Sequence, residues 1–313
     1  MRNATLKQMR ALAAIVETGT VTAAAKKLNV TPPAVTMQVQ QLEEHLGLPL
    51  LDRAGERFQP SAAGREVLAA VARIEQAMAD CGAALDGMKG LKSGHVSVGL
   101  VSTAKYFVPN ALGAFARLHP GIDIALVVGN REEMIAALRG DSIDLAIMGR
   151  PPLDIEVDKS PIGEHPHLII APAGHPLLGR RIKASALANA SFLSREPGSG
   201  TRGLMERFFQ EAGIEPRIAM EIGSNETIKQ AVMAGMGLAF ISAHTIAAEV
   251  ADGRLAMLDV EGLPEVRQWF VVKRSAKRLT PPATALTEFL ARRGPEFLPQ
   301  LSPPSHATAK QSV

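Results

Sequence analysis

The chain has 313 residues, 46% of them hydrophobic and 21% charged, which suggests two globular domains of ordinary composition. Because no apolar run is long enough for a membrane span or a secretory signal, we expect a cytoplasmic protein with no membrane partner. The single cysteine excludes an internal disulfide and a thiolate metal cluster, and at a net charge of +3 any contact with DNA must come from locally placed groups.

The N-terminal residues have the pattern of a helix-turn-helix. Apolar residues at helical spacing predict a first helix that ends at Gly19, and Thr20 can cap a short second helix. Thr31 can cap a third helix, which has Pro32 at its first position and ends at Gly47. This arrangement is typical of DNA-binding domains, although short helices can also form an ordinary core.

The third helix is the predicted recognition helix. Val35 and Val39 mark its buried stripe, so the opposite side faces outwards. When such a helix enters the major groove by its N-terminal end, the residues nearest the base edges are Thr31, Pro32, Pro33, Thr36 and Met37. These small or apolar side chains can contact thymine methyl groups or read DNA shape, but they cannot form a bidentate contact with guanine.

Two short strands, Leu48 to Arg53 and Arg57 to Pro60, are predicted to form a wing after this helix. Arg53 and Arg57 would then contact phosphate or the minor groove. The alternative is that both arginines belong to a solvated rim.

Residues 61 to 89 contain no proline and predict one long helix that Ser61 can cap. Apolar residues recur along it at alternating spacings of four and three, at Val67, Val71, Ile74, Met78, Cys81, Leu85 and Met88. This period is that of a coiled-coil seam, so the helix is predicted to join two copies of the chain and to space their recognition helices. Packing of the helix on its own chain is the alternative.

The last two thirds alternate between strand and helix patterns, which predicts an α/β domain with mostly parallel sheets and two lobes. The predicted strands are His95 to Val101, Ile122 to Val128, Ile143 to Met148, His167 to Ala171, Phe192 to Arg195, Ile218 to Ile222 and Leu238 to Ser242.

Hydroxyls, glycines and arginines follow several of these strands, where ligands bind in such folds. Together with helix N-termini they favour an anion site, although each loop alone can be a turn or a cap. The candidate ligand-binding residues are Ser102, Thr103, Arg150, Thr201, Arg202 and Asn225. We expect Arg202→Ala to abolish the ligand response.

Catalytic motifs are missing from the sequence. His165, His167 and His175 lack metal-binding spacing, no Gly-x-Ser-x-Gly elbow occurs, and the loop from Gly198 to Arg202 is not a Walker A loop. We therefore expect no enzyme, no metal and no cofactor.

Several segments resemble the LysR-type transcriptional regulators, over about residues 4 to 295. In the N-terminal part they are residues 20–28, 31–36, 42–47 and 60–64. The later segments, residues 101–107, 129–132, 146–152, 195–202, 221–230 and 262–269, resemble the regulators of Calvin-cycle (RuBisCO) operons within that family.

The resemblance implies a winged helix-turn-helix, a long linker helix and a two-lobed α/β effector domain like a periplasmic binding protein. The implied boundaries are residues 1–60 for the DNA-binding domain, 61–92 for the linker helix, 93–161 with 267–295 for lobe I, 162–266 for lobe II and 296–313 for a flexible tail. By position, Pro32, Pro33 and Thr36 would face bases, and Thr31 and Arg53 the backbone or minor groove. Pro32 and Met37 stand where the family often has Gln and Arg, which leaves the base contacts less defined.

The resemblance also implies a function. It is that of a bacterial activator of carbon-fixation operons, which binds promoter DNA as a homotetramer of two dimers and can contact RNA polymerase. Its effector would be ribulose bisphosphate, phosphoenolpyruvate or NADPH. The alternatives are a LysR-type regulator of another pathway with a carboxylate, aromatic or amino-acid effector, a solute-binding protein, and an enzyme that uses the loop from Gly198 to Arg202 on a phosphate.

Overall fold

The computed structural model describes residues 4–54, 57–87 and 93–301. The chain divides into two compact units, Met1–Gly82 and Ala83–Val313, which are described in turn. Within the described ranges, no helix is long and apolar enough to cross a membrane.

The first unit is the predicted winged helix-turn-helix. Its elements are α1 (Leu6–Thr18), α2 (Val21–Leu28), α3 (Pro32–Leu46), the antiparallel pair β1 (Leu51–Ala54) and β2 (Arg57–Pro60), and the start of α4 (Ala62–Gly87). Gly19 and Gly47 end α1 and α3 with φ angles of 81° and 68°, which favour glycine. Thr20 caps α2 by accepting a hydrogen bond from the Ala23 amide.

Thr31 differs from the prediction. It occupies the N-cap position of α3, but its hydroxyl makes no capping hydrogen bond. Pro33 has no N–H to offer, and the Ala34 amide donates to the Thr31 carbonyl instead. The Thr31 hydroxyl is therefore left for another partner.

Helix α4 has one part that packs on its own chain and another that is exposed, so both alternatives considered for it apply to part of its length. Val67 and Val71 are buried in the core of the first unit, so the first two predicted seam positions pack on their own chain. Ile74 and Met78 are 37% and 51% exposed, and Cys81 is also exposed. The side chain of Leu85 and the whole of Met88 lie outside the described residues. A coiled-coil seam can therefore begin only after Val71.

The second unit is built on two sheets. One contains seven strands in the order β10-β6-β11-β5-β3-β4, with β9 also paired to β6, and the other contains β7 and β8. The strands are β3 (Gly94–Val101), β4 (Ile122–Gly129), β5 (Leu145–Met148), β6 (Val157–Pro172), β7 (Ser191–Arg195), β8 (Arg217–Ile222), β9 (Ala239–Ser242), β10 (Leu255–Met257) and β11 (Glu265–Arg274). The helices are α5 (Val108–Leu118), α6 (Arg131–Arg139), α7 (Gly200–Glu211), α8 (Asn225–Met233), α9 (Ala247–Ala251) and α10 (Pro281–Arg293).

The prediction of mostly parallel sheets was wrong. Strand β3 is parallel to β4 and β5, and β7 is parallel to β8, but β6 runs antiparallel to β9, β10 and β11. The sequence pattern predicted only the last third of β6, because Pro161, Glu164 and Pro166 interrupt its apolar run. Strand β11 was not predicted at all.

The buried hydrophobic residues of this unit form two sets of cores, which define two halves. The first half contains β3, β4, β5, α5, α6 and α10. The second half contains β7, β8, β9, α7 and α8. The implied lobe boundaries fall in the first third of β6 and near the start of β11. Residues 296–301, implied to be flexible, are in part packed, because Phe297 and Leu298 contact the core of the first half and Leu301 that of the second.

Candidate functional site

The candidate DNA interface lies at the N-terminal end of α3. Thr31, Pro32, Pro33, Thr36 and Met37 are all exposed there, and so is Arg53 in the wing. The Thr36 hydroxyl donates to the Pro32 carbonyl at 3.2 Å, and the Arg53 guanidinium lies 5.7 Å above the Phe58 ring. Solvent accessibility is what a DNA contact requires, and the individual base contacts stay predictions.

A cleft of about 720 Å³ lies between the two halves of the second unit. It is called the interlobe cleft below. Ser102, Thr103 and Arg150 line it from the first half, and Thr201 lines it from the second. The structure thus brings four of the six candidate ligand-binding residues into one cavity, of a size that small ligands occupy.

The N-terminus of α7 opens into the interlobe cleft. Ser199, Gly200 and Thr201 line the cavity, and no acidic residue lies in the first turn. The Ser199 hydroxyl makes no capping hydrogen bond. Thr103 and Thr201 are buried on opposite walls. Because a helix N-terminus carries a partial positive charge and free N–H groups, this end of the cleft favours an anion.

Two arginines of the first half face the same helix end. Arg131 donates to the carbonyls of Arg150 and Pro151 at 2.9 and 3.2 Å and so holds their loop in place. Burial and the neighbouring Arg150 charge lower the pKa of Arg131. A Cβ on Gly203 would lie 3.8 Å from Arg150 Nη1, so the Arg150 guanidinium reaches the first turn of α7. Within the described ranges, Arg150 forms no ion pair.

Arg202 does not line the interlobe cleft, so the structure does not bring it together with the other candidates, and its role in ligand binding stays a prediction. Its Nε lies 2.8 Å from Glu206 Oε1 and its Nη1 donates to Glu221. It lines a separate groove beside Met205. Consecutive helical residues point about 100° apart, so Thr201 faces the cleft while Arg202 faces the flank of α7.

Asn225 is also absent from the cleft wall. It is 1% exposed, and its Oδ1 accepts a hydrogen bond from Nη1 of Arg195. Arg195 itself lines the cleft and was missed as a single residue, although its loop was recognised. Its position at the end of a strand was the available signal.

Other basic residues of the cleft wall were not among the candidates chosen from the sequence. They are Arg131, at the start of α6, Lys159 on β6 and Arg267 on β11. The prediction missed the two strands because their pairing joins distant parts of the chain. Together with Arg150 and Arg195 these make five basic residues, against the single acidic Glu164.

His165 and His167 form another part of the cleft wall. The His165 ring stacks on Trp269 with 3.7 Å between centroids, and its Nε2 lies 2.9 Å from Ser242 Oγ. Burial lowers the pKa of His165 well below its usual range and that of His167 to about 3. Both rings are therefore neutral at neutral pH. The described part of the chain holds no cluster of His, Cys, Asp and Glu suited to a metal ion.

Comparisons with known proteins cover both units. The family model "Bacterial regulatory helix-turn-helix protein, lysR family" matches residues 6–65, and "LysR substrate binding domain" matches residues 89–295. The HTH-type transcriptional regulator CbbR of Xanthobacter flavus is 53% identical over 300 residues, which are 95% of this chain and 90% of the relative.

Two further relatives agree. The RuBisCO operon transcriptional regulator of Allochromatium vinosum is 42% identical over 286 residues, covering 91% of this chain and 95% of the relative. The regulatory domain of Synechocystis PCC6803 CcmR, solved in complex with 2-PG, is 35% identical with a TM-score of 0.62, covering 64% of this chain and 97% of that one. With both family models matched and relatives aligned over nearly its whole length, this chain belongs to the LysR family of transcriptional regulators, which are DNA-binding proteins and not enzymes.

Proposed function

We propose that this chain is a cytoplasmic activator of carbon-fixation operons and that a phosphorylated metabolite in the interlobe cleft controls it. Relatives at 42% and 53% identity are named RuBisCO operon regulator and CbbR, which supports the operon class. The observation that carries the effector class is the pairing of Arg150 with the N-terminus of α7.

A phosphate group fits this end of the cleft better than a single carboxylate does. Arg131 and Arg150 lie side by side, and within the described ranges no carboxylate is within ion-pair distance of either, so the more distant Asp154 and Glu132 charges offset that of Arg131 only in part. A phosphate dianion compensates two like charges and still accepts hydrogen bonds from the helix N–H groups and the hydroxyls of Thr103 and Thr201. The CcmR domain holds 2-PG, and the remaining candidates are ribulose bisphosphate, phosphoenolpyruvate and NADPH.

Thermal unfolding of the full chain with a ligand panel tests the effector class. The panel contains the four phosphorylated candidates, inorganic phosphate and several aromatic carboxylates. A ligand at 100 times its Kd adds about 2.7 kcal/mol to stability, which shifts the unfolding temperature measurably. A shift with phosphorylated compounds alone supports the proposal. A shift with carboxylates alone contradicts the effector class and favours a LysR-type regulator of another pathway.

Arg150→Ala is expected to weaken binding of the phosphorylated ligand by about 30-fold to 1,000-fold, because it removes an unpaired charge from the anion end. Arg202→Ala is the matched control, since its guanidinium pairs with Glu206 and Glu221 outside the cleft and touches the wall only through a 3.3 Å bond to the Arg195 carbonyl. Its affinity should stay within about twofold of the wild type. Titration calorimetry measures both. A larger loss in Arg202→Ala than in Arg150→Ala would restore the sequence-based assignment.

Arg53→Ala is expected to weaken binding to operator and to unrelated DNA alike, because a wing arginine contacts phosphate or the minor groove. The slope of log K against log salt concentration should fall by about one unit. Arg117→Ala, which removes an exposed arginine of α5, is the control and should leave the slope unchanged. Fluorescence anisotropy at several salt concentrations measures the slope. An unchanged slope in Arg53→Ala would remove this residue from the interface.

The chain acts on promoter DNA as a homotetramer built from two dimers, in a position to contact RNA polymerase. The exposed seam residues Ile74, Met78 and Cys81 of α4 support the dimer contact. A tetramer needs a second self-contact, and exposed apolar side chains on the outer strands β4 and β8 support one, at Leu126, Val127, Val128, Ile218 and Met220.

Met78→Glu is expected to weaken dimerisation by about 100-fold or more, because two copies of the charge would be buried against each other in the seam. Ala69→Glu places the same charge at an exposed position of α4 off the seam and should leave the dimer intact. Sedimentation velocity measures the molar mass of each variant. Equal behaviour of the two variants would show that α4 does not carry the dimer contact.

A further inference from the structure

The first turn of α8 is connected to the first half of the second unit at two places. At one, the Tyr106 hydroxyl donates to the Glu226 carboxylate. At the other, Arg195 donates from Nη1 to Asn225 Oδ1 and from Nη2 to Ser102 Oγ, at 3.0 Å for the second bond. Both connections therefore end on adjacent residues of one helical turn.

Arg195 is not available as an anion receptor in the way that Arg150 is. Its Nε lies 2.7 Å from one oxygen of Glu196 and its Nη2 lies 2.8 Å from the other. The side chain is 2% exposed, and its charge is neutralised by this bidentate pair. Since its remaining bonds go to Ser102 and Asn225, Arg195 joins the two halves.

The Asn225 side chain depends on Arg195 for its position. Asn225 is 1% exposed, and its Nδ2 has no hydrogen-bond partner. The bond from Arg195 to its Oδ1 is the only one described for this side chain within the part of the chain that the structure covers. A shift of the Arg195 guanidinium therefore moves Asn225 or leaves the whole buried amide unpaired, which is costly.

We propose that Arg195 is a positioning residue that transmits occupancy of the interlobe cleft to α8. Ser102 lines the cleft and accepts a hydrogen bond from Arg195, so a ligand oxygen that accepts from the Ser102 O–H reorients the hydroxyl against which the guanidinium is held. The change is passed to Asn225, and so to the first turn of α8. The role of the ligand rests on the proposed function, whereas the connection from Ser102 to α8 belongs to the chain without ligand.

Hydrogen–deuterium exchange of the full chain, without ligand or DNA, tests the connection. In Ser102→Ala the amides of residues 225–233 should exchange about fivefold faster, the effect of one lost hydrogen bond. Thr103→Ala is the matched control: its hydroxyl is the next one along the same cleft wall and has no described contact with Arg195. Exchange in α8 should then stay within about twofold of the wild type. Equal effects of the two variants would overturn the proposal.

The Arg195→Lys background separates positioning from a general loss of stability. Lysine keeps the charge but cannot bond Ser102 and Asn225 together in the guanidinium geometry. In this background Ser102→Ala should cause no further acceleration in α8, whereas two independent structural effects would add. An added effect of full size would contradict the proposed route through Arg195.

The same exchange experiment with added 2-PG or inorganic phosphate distinguishes the proposed effector class from the proposed role of Arg195. If neither these two compounds nor the other phosphorylated candidates bind but the Ser102 effect on α8 is present, the connection stands and the effector class fails. If 2-PG binds and changes exchange in α8 of the wild type, the change should be lost in Arg195→Lys. A change that persists in Arg195→Lys would overturn the role of this residue while leaving the proposed function intact.

Discussion

Lys229→Met is expected to lower the free energy of unfolding of the second unit by about 3–5 kcal/mol, because it leaves a buried carboxylate without its cation. Lys229 Nζ lies 2.9 Å from Glu249 Oε1 and 3.0 Å from Glu226 Oε2. The Lys229 and Glu249 side chains are 4% and 10% exposed, and Glu249 Oε2 already lacks a hydrogen-bond partner.

The nearest other cation offers little compensation. Arg254 Nη2 lies 3.9 Å from Glu249 Oε1 and also binds Asp252 at 3.1 Å, on a half-exposed side chain. Loss of Lys229 also frees Glu226, which accepts the hydrogen bond from Tyr106. The lost free energy should therefore come mainly from the desolvated Glu249 and only in small part from the exposed Glu226.

Urea unfolding of the full chain, followed through the single Trp269 of the second unit, measures the effect. Lys273→Met is the matched control, since Lys273 pairs with Asp158 at 2.6 Å on a more exposed surface, where loss of the ion pair should cost far less than in Lys229→Met. Adding Glu249→Leu to Lys229→Met should recover much of the loss, because the unpaired charge is then removed. Equal losses in the two single variants would mean that burial does not decide the cost.

The helix-turn-helix could be predicted from sequence because its signals are local. Gly19, Thr20 and Gly47 each determine a helix end within a few residues of themselves. The wing followed from two short strands adjacent in the chain. Strands β6 and β11 could not be found in this way, because their pairing brings residues such as His165 and Arg267 together across about a hundred positions of sequence.

The candidate site was only partly predictable for a related reason. A loop that follows a strand can be recognised as a ligand loop, which placed Ser102, Thr103 and Thr201 correctly in the cleft. Which side of α7 faces the cleft depends on how that helix packs, which the sequence does not show. The prediction therefore selected Arg202 as a ligand-binding residue and not Arg195, which lines the cleft wall. Asn225 also follows a strand and lies near the cleft as predicted, but it does not line the cleft and instead accepts a hydrogen bond from Arg195, which does.

The free energy of unfolding of the second unit is expected to fall steeply between pH 7 and pH 5. Three buried histidines, His165, His167 and His244, lie around Trp269. Burial lowers the pKa of His165 well below its usual range, that of His167 to about 3 and that of His244 to about 4. Trp269 Nε1 donates to His244 Nδ1, which opposes protonation there. At His167 the backbone hydrogen bonds to His165 and Glu265 favour the charged ring, but burial, the largest effect, and the His244 and Arg267 charges oppose it.

The sign follows from proton binding. In the unfolded chain each histidine has a pKa near 6.5 and takes up a proton as the pH falls below that value, whereas the folded chain keeps the rings neutral. Lower pH therefore favours the unfolded state, by about 2 kcal/mol for each of these histidines between pH 7 and pH 5. Most carboxylates remain ionised in this range, so the histidines should dominate the slope.

Urea unfolding at half-unit pH steps measures this slope. His167→Asn should reduce it by about a third, because asparagine can keep the hydrogen bond to the His165 carbonyl without titrating. His95→Gln, at an exposed position, is the control and should leave the slope unchanged. An undiminished slope in His167→Asn would mean that this histidine does not contribute to the loss of stability in acid. The reduced slope would show that the His167 ring of the cleft wall is neutral in the folded chain and therefore adds no positive charge to that of the arginines.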